Sequence, residues 1–380
     1  MIKKASLLAL LIYLILVLLS SGLVQAQDRL EVLDNSVQVE FPYRINFILS
    51  AESDTNITDI RLHYTIERTS FAHVITEAYI KLVPDTKINA EYTLDMIKIG
   101  GLPPGSRLDY WWTVEKANGS QVNTTPLQVH FDDNRYYWHS LTEGDITIYW
   151  YEGKQSFAQE LMATAHQALA RLRKDTGAYP EKPIRVYVYA LSQDLQGSMI
   201  YPQEWTGGVA FTRYDTLAAG ISPGNLDWGR EAIAHELTHL VIHQITFNPY
   251  SDLPVWLDEG LAMRTQGPLG PPYTNYINKA ITEDSLISVR SLASPFSART
   301  EQSYLSYAQS YSLVEFLISQ YGQSKMLELL TTFKQGSNYD DALEKVCGFN
   351  MDGLDALWRE YINASAQPVT SLSRVSYVAI

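Results

Sequence analysis

From residue 27 to about residue 134, apolar and polar side chains alternate in short runs. VQVEFPYRINFILSA is the first such run, and in TDIRLHYTIER the residues Ile60, Leu62, Tyr64 and Ile66 fall on one face. EAYIKLVPD and INAEYTLDMIKI continue the series. A Pro-Gly turn then leads into Leu108, Tyr110 and Trp112, and Asn118-Gly119 forms a hairpin-type turn. Of the adjacent pair Trp111 and Trp112, one side chain is expected to face inward and the other outward. Short alternating strands separated by turn residues predict a β-sandwich over 27–134.

After FDDNRYYWHSL the period changes. Strands are expected at 145–150, 184–189, 204–212 and 217–221, with an amphipathic helix at 155–176. Together they close a small sheet. A helix at 228–244 carries the apolar stripe Ile233, Leu237, Leu240 and Val241. From Pro254 onward the chain is mostly helical. Pro254 opens one helix, and Gly267 with Pro268 stops it. Further helices are expected at 273–282, 302–321, 326–333, 339–346 and 354–361, and 367–380 reads as a loose tail. The pattern divides the chain into a sandwich at 27–134 and an α+β domain at 135–366.

Residues 1–26 precede this pattern and read as a secretory signal peptide. Lys3 and Lys4 give a positive start, an apolar run follows, and Val24, Gln25 and Ala26 offer a small-residue cleavage site. If left uncleaved, the same segment is long enough to serve as a membrane anchor. The expected location is therefore secreted or at the cell surface. The single cysteine, Cys347, excludes an intramolecular disulfide. Its setting EKVCGFN suits packing at a helix end. An exported chain with no disulfide fits a bacterial or archaeal source better than an animal one, and a bacterial one is expected. A net charge of −13 and the lack of any basic run argue against a nucleic-acid partner.

The candidate chemistry lies in AHELTHL. His235 and His239 stand at i and i+4, so both imidazoles leave one face of the helix, as two ligands of a tetrahedral Zn²⁺ must. Glu236 lies beside that face, where a general base can reach the attacking water. A third ligand is required. Position 245, where a metzincin would place a histidine, is Ile. His243 is one turn beyond His239 and is expected to support the site or sit at the surface. Glu259 and Asp258, on the next helix, are the candidate carboxylates, and only one of two adjacent helix positions can face the ion. An acceptor oxygen that gains charge also needs a hydrogen-bond donor, and Tyr304, Tyr307 and Tyr311 are candidates on one helix.

The HELTH helix followed by W-L-x-E-G-x-A, here WLDEGLA, resembles the gluzincins, the metallopeptidase clan of thermolysin and the alanyl aminopeptidases. Within it, the chain is most similar to the bacterial peptidase-MA-like proteins. The strands over 27–134, in LPPGSRLDYWWTVEKANGSQVNT above all, resemble those of fibronectin type III and other immunoglobulin-like domains, so an all-β sandwich of that kind is expected ahead of the α+β thermolysin-like metallopeptidase domain that the gluzincin resemblance implies. The gluzincin resemblance implies zinc held by His235, His239 and Glu259, with Glu236 as general base on a zinc-activated water. It places Tyr307 as the oxyanion donor, because YAQSYSL is similar to the Y-x-K-G helix start of the aminopeptidases, with Gln309 and Ser310 replacing Lys and Gly. It also makes Gly207, Gly208, Val209, Ala210 and Phe211 the edge strand that holds an extended peptide substrate. The G-x-M-E-N strand that grips a free N-terminus in the aminopeptidases has no counterpart; GGVAF contains no acid. The expected reaction is thus endopeptidase cleavage of peptides or proteins. The competing expectation is a zinc-containing surface adhesin without proteolytic activity.

Overall fold

The computed structural model describes residues 29–202 and 207–366. The expected leader at 1–26, the tail at 367–380 and the start of the strand expected at 204 lie outside the described residues. The described chain consists of sheets plus helices. Its first part holds β1 (Leu30–Glu40), β2 (Arg44–Ile66), β3 (Thr76–Tyr79), β4 (Asp85–Asp95), the short α1 (Met96–Ile99), β5 (Ser106–Lys116), β6 (Gln121–Asn123) and β7 (Leu127–Phe131).

β2 is long because it serves two layers. Its first half pairs with β1 and β4, and its second half with β3 and β5. Phe47 and Tyr64 lie on these two halves, yet their rings stack with centroids 6.3 Å apart. Were the strand straight, about 56 Å would separate them at 3.3 Å per residue. The strand therefore bends sharply, and the register of its pairing with β4 shifts between Glu52 and Ile57. Phe47 also meets Tyr110 of β5 edge-on at 4.9 Å. Ile45, Phe47, Leu49, Leu62, Leu108 and Trp112 are fully buried between the layers. Trp112 faces inward, while Trp111 lies outside and stacks on His63.

The second sheet runs β11-β12-β10-β9-β8, formed by β8 (His139–Glu143), β9 (Ile146–Trp150), β10 (Ile184–Tyr189), β11 (Gly208–Phe211) and β12 (Thr216–Gly220). β9, β10 and β12 are parallel, and the outer strands β8 and β11 are antiparallel to their neighbours. β8 lies in the segment read from sequence as a junction. Its five residues include none that is buried, so no alternation betrayed it.

One sheet face packs on α2 (Gln155–Thr176) and α4 (Leu226–Thr246), and the small α3 (Ser192–Gln196) lies beside β12. α4 crosses closely: a Cβ on Gly229 would stand 2.5 Å from Ile221. The other face is aromatic. Tyr187 and Tyr189 are buried there beneath Tyr136, Trp138 and Tyr151, and the Tyr189 hydroxyl donates to Asp133 at 2.9 Å. Asp133 is itself held by Arg135. A Cβ on Gly105 would overlap the Tyr187 hydroxyl at 2.2 Å, so the first unit abuts this face directly.

Among the described residues, helices make up the rest: α5 (Val255–Gln266), α6 (Pro271–Thr282), α7 (Val289–Leu292), α8 (Thr300–Lys334), α9 (Tyr339–Cys347) and α10 (Met351–Ala366). The two helices expected at 302–321 and 326–333 are the arms of α8, broken at Gly322, whose φ of 76° interrupts the helical path. Among the described residues no helix is long and apolar enough to cross a membrane.

Candidate metal and active site

α4 and α5 bring three ligand atoms together. Glu259 Oε2 is 3.2 Å from His235 Nε2 and 3.7 Å from His239 Nε2. With bonds of about 2.0–2.1 Å, the ligand atoms of a tetrahedral zinc stand roughly 3.4 Å apart. The observed separations bracket that edge length. Glu259 Oε2 is also buried and makes no hydrogen bond of normal geometry, and a carboxylate oxygen so placed gains from a cation between it and the two imidazoles. The side chains of His235, His239 and Glu259 are only 17%, 12% and 20% exposed, so solvent screens the site weakly. On these grounds the residues present fit a zinc ion.

The outer nitrogen of each histidine faces a side-chain oxygen. His235 Nδ1 lies 3.2 Å from Gln266 Oε1, and His239 Nδ1 lies 3.0 Å from Asp258 Oδ1. Asp258 turns its second oxygen to His243 Nε2, also at 3.0 Å. The adjacent acids thus divide the work as helix geometry requires: Glu259 faces the Nε2 pair and Asp258 the Nδ1 side. Asp258, His239 and His243 form a second cluster of metal-ligand types. Asp258 Oδ1 lies 3.0 Å from His239 Nδ1 as an ion pair, and Asp258 Oδ2 lies at hydrogen-bond distance, 3.0 Å, from His243 Nε2. Burial works against charge on His239, but the carboxylates of Asp258, Glu259 and Glu236 outweigh it and raise its pKa to about 10. Burial likewise opposes charge on Asp258, yet His239 and His243 hold its carboxyl well below the usual range.

Glu236 lies where β11 passes over α4. A Cβ on Gly208 would meet Glu236 Oε1 at 3.0 Å and Cγ at 3.1 Å. Gly207 is equally confined, with Trp228 at 2.7 Å from such a Cβ. The strand of Gly208, Val209, Ala210 and Phe211 stands at the sheet edge, paired with β12 on one side.

Of the three tyrosines, the Tyr307 ring lies 6.4 Å from that of His235 and meets Phe296 edge-on at 5.2 Å. Burial, then the charge of Glu259, pushes its phenol well above the ordinary value. Tyr304 stacks on Tyr276 of α6 and meets Tyr273 at a tilt, and Tyr311 lies near Arg264. Gln309 is buried and bonds both backbone groups of Ile287 at 2.9 Å. The main-chain oxygen of Ser310 is packed against Gly260. Both residues that replace Lys and Gly therefore fix neighbouring backbone. Beside Glu259 and Tyr307 opens a cavity of about 580 Å³, walled by Val255, Pro295, Phe296 and Ala298.

Gln266 was not found by sequence reasoning, nor was the bridging position of Asp258 between two histidines. A signal for the first existed. Gln266 follows Glu259 by seven residues, about two helical turns, and so shares its face.

The family model described as Peptidase MA superfamily matches residues 164–364. The chain belongs to the Peptidase MA superfamily, as the resemblance of its HELTH and WLDEGLA segments implied. No curated protein matches it. Among solved structures, it is similar to the M1 zinc metallopeptidase of Deinococcus radiodurans, with 11% identity over 88% of this chain and 94% of that one, and a TM-score of 0.37. Aminopeptidase A of Legionella pneumophila matches 87% of this chain and 50% of its own at 10% identity, with a TM-score of 0.36. OgpA of Akkermansia muciniphila is 12% identical over 30% of each chain, with a TM-score of 0.23. The present chain thus spans about a third of the length of OgpA.

Proposed function

We propose that this chain is an exported, zinc-dependent endopeptidase whose site is built by His235, Glu236, His239, Glu259 and Tyr307. The observation that carries the reading is the convergence of the buried Glu259 Oε2, which makes no hydrogen bond of normal geometry, on two imidazole Nε2 atoms at 3.2 and 3.7 Å. Zinc held by His235, His239 and Glu259 would supply the Lewis acidity that makes water a nucleophile at neutral pH.

The remaining steps belong to the chain's own residues. The free edge of β11 pairs with an extended peptide and sets it across α4. The Glu236 carboxylate takes a proton from the attacking water and later passes it to the leaving amine. The Tyr307 hydroxyl, kept protonated by its surroundings, donates to the carbonyl oxygen as that oxygen gains charge. The cavity beside Tyr307 accepts one substrate side chain. Among the described residues Glu259 is the only charged one in its wall, and with that carboxylate on the metal an uncharged side chain is favoured. Endopeptidase action is favoured because Gly208–Phe211 carries no acid to hold a free N-terminus.

Two further parts of the reading rest on other observations. The layers β1-β2-β4 and β3-β2-β5-β7 support a fibronectin III-like sandwich over 27–134, ahead of a metallopeptidase domain at 135–366. Lys3, Lys4 and the apolar run after them support export, to the medium or to the cell surface.

The test is Glu236→Gln. It should retain zinc and lower peptide hydrolysis by about 10²–10⁴-fold. Hydrolysis at the unaltered rate would reject Glu236 as the base. Zinc in the unaltered protein with no cleavage of any peptide library would favour the adhesin reading instead.

A further inference from the structure

Where the end of β2 meets the start of β10 and the β11–β12 turn, a second cavity of about 320 Å³ lies between the two units. Five of the side chains around it are cationic. Arg68 and Arg107 come from the first unit, and Lys182, Arg185 and Arg213 from the second. The acids are Glu67 and Asp215. On a chain of net charge −13, such a concave concentration of positive charge opposes the general field.

The acids compensate only part of it. Glu67 pairs with Arg107 at 3.6 Å, and Asp215 with Lys182 at 3.9 Å. Arg185 is half-buried and, among the described residues, its guanidinium donates only to neutral acceptors, the Thr216 hydroxyl at 3.1 Å and the Tyr214 carbonyl at 2.8 Å. Arg68 and Arg213 are exposed, and among the described residues neither is paired with a carboxylate. Three guanidiniums from three different elements therefore reach one cavity with their charge unanswered.

Guanidinium forks match the oxygens of phosphate, sulfate and carboxylate. Approach from three elements suits a group whose oxygens point in several directions, which a tetrahedral oxyanion offers and a planar carboxylate does not. The volume is at the lower end of ligand pockets, about 300 Å³ and above, and exceeds what a bare ion fills. We propose that this cavity binds a phosphate or sulfate group, either as the free ion or carried on a sugar. Arg68, Arg185 and Arg213 would hold it at the junction of the two units. The site is separate from the zinc ligands and stands whether or not the peptidase reading holds.

The test is calorimetric titration of the whole chain at low ionic strength with inorganic phosphate, inorganic sulfate and a sulfated disaccharide. Saturable binding of about one ligand per chain is expected, weakening as salt is raised. The double variant Arg68→Ser/Arg213→Ser should bind about tenfold or more weakly at an unchanged unfolding temperature, because both side chains are exposed and unpaired. Arg185→Lys keeps the charge but loses the fork, and should also bind more weakly. Binding of the inorganic ions identifies a free-ion site. Binding of the disaccharide alone identifies a sugar-borne group. No saturable binding of any of the three, or equal affinity in the double variant, overturns the proposal.

Discussion

At Gly208 the presence of a single methyl group decides whether the candidate base keeps its position. A Cβ there would press on Glu236 Oε1 at 3.0 Å, and the backbone of the strand would otherwise accept alanine. Gly208→Ala should therefore fold and bind zinc normally while its turnover falls by a factor on the order of 10 to 100, since misplacement of this size is costly in catalysis. Steady-state assay beside metal analysis checks this; unchanged kcat would mean that Glu236 can shift without consequence. Asp258 acts differently. It orients His239 through Nδ1 and anchors itself on His243. Asp258→Asn is expected to lower zinc affinity by about 10–100-fold, read by competition with a chelator. Unchanged affinity would assign the bridge to packing alone. The HELTH spacing was legible in the sequence because it is local, and the i, i+4 rule turns spacing directly into geometry. The partners of the outer nitrogens were less legible, because the direction of Asp258 depends on the angle at which α5 crosses α4.

At the scale of elements, the pairing of α5 with α8 sets where Glu259 and Tyr307 stand relative to each other. Gly260 permits it. A Cβ at that position would stand 2.4 Å from the Ser310 carbonyl oxygen and 2.6 Å from Val314. Gly260→Ala should cost about 1–3 kcal/mol of stability, seen as a lower denaturant midpoint, because backbone cannot yield as a side chain does. A midpoint equal to that of the unaltered protein would contradict the close packing. The strongly periodic helices could be read from sequence, and Gly322 breaks α8 between the two expected arms. β8 could not, since an edge strand with no buried residue leaves no alternation. The bend of β2 was equally hidden. The polar run SDTN at 53–56 looks like a loop, yet the strand continues through it into the second layer.

For the whole molecule, the two units are joined through an aromatic face rather than a bare linker. Asp133, Arg135 and Trp138 fold beneath β10, and Tyr187 reaches Gly105 of the first unit. Sequence pattern could mark the change of period near 131 but not this interlock, which depends on residues far apart in the chain. The family match over residues 164–364 and the clustering of His235, His239 and Glu259 belong to the same half of the molecule. The proposed reaction requires that these three residues hold zinc and that the ion is needed for cleavage. The most direct measurement is the zinc content of the purified protein beside Glu259→Ala, each assayed on unstructured casein. About one zinc per chain is expected, with both metal and cleavage lost in the variant. Full zinc occupancy without Glu259 would contradict that ligand set and make Asp258 the next ligand to test.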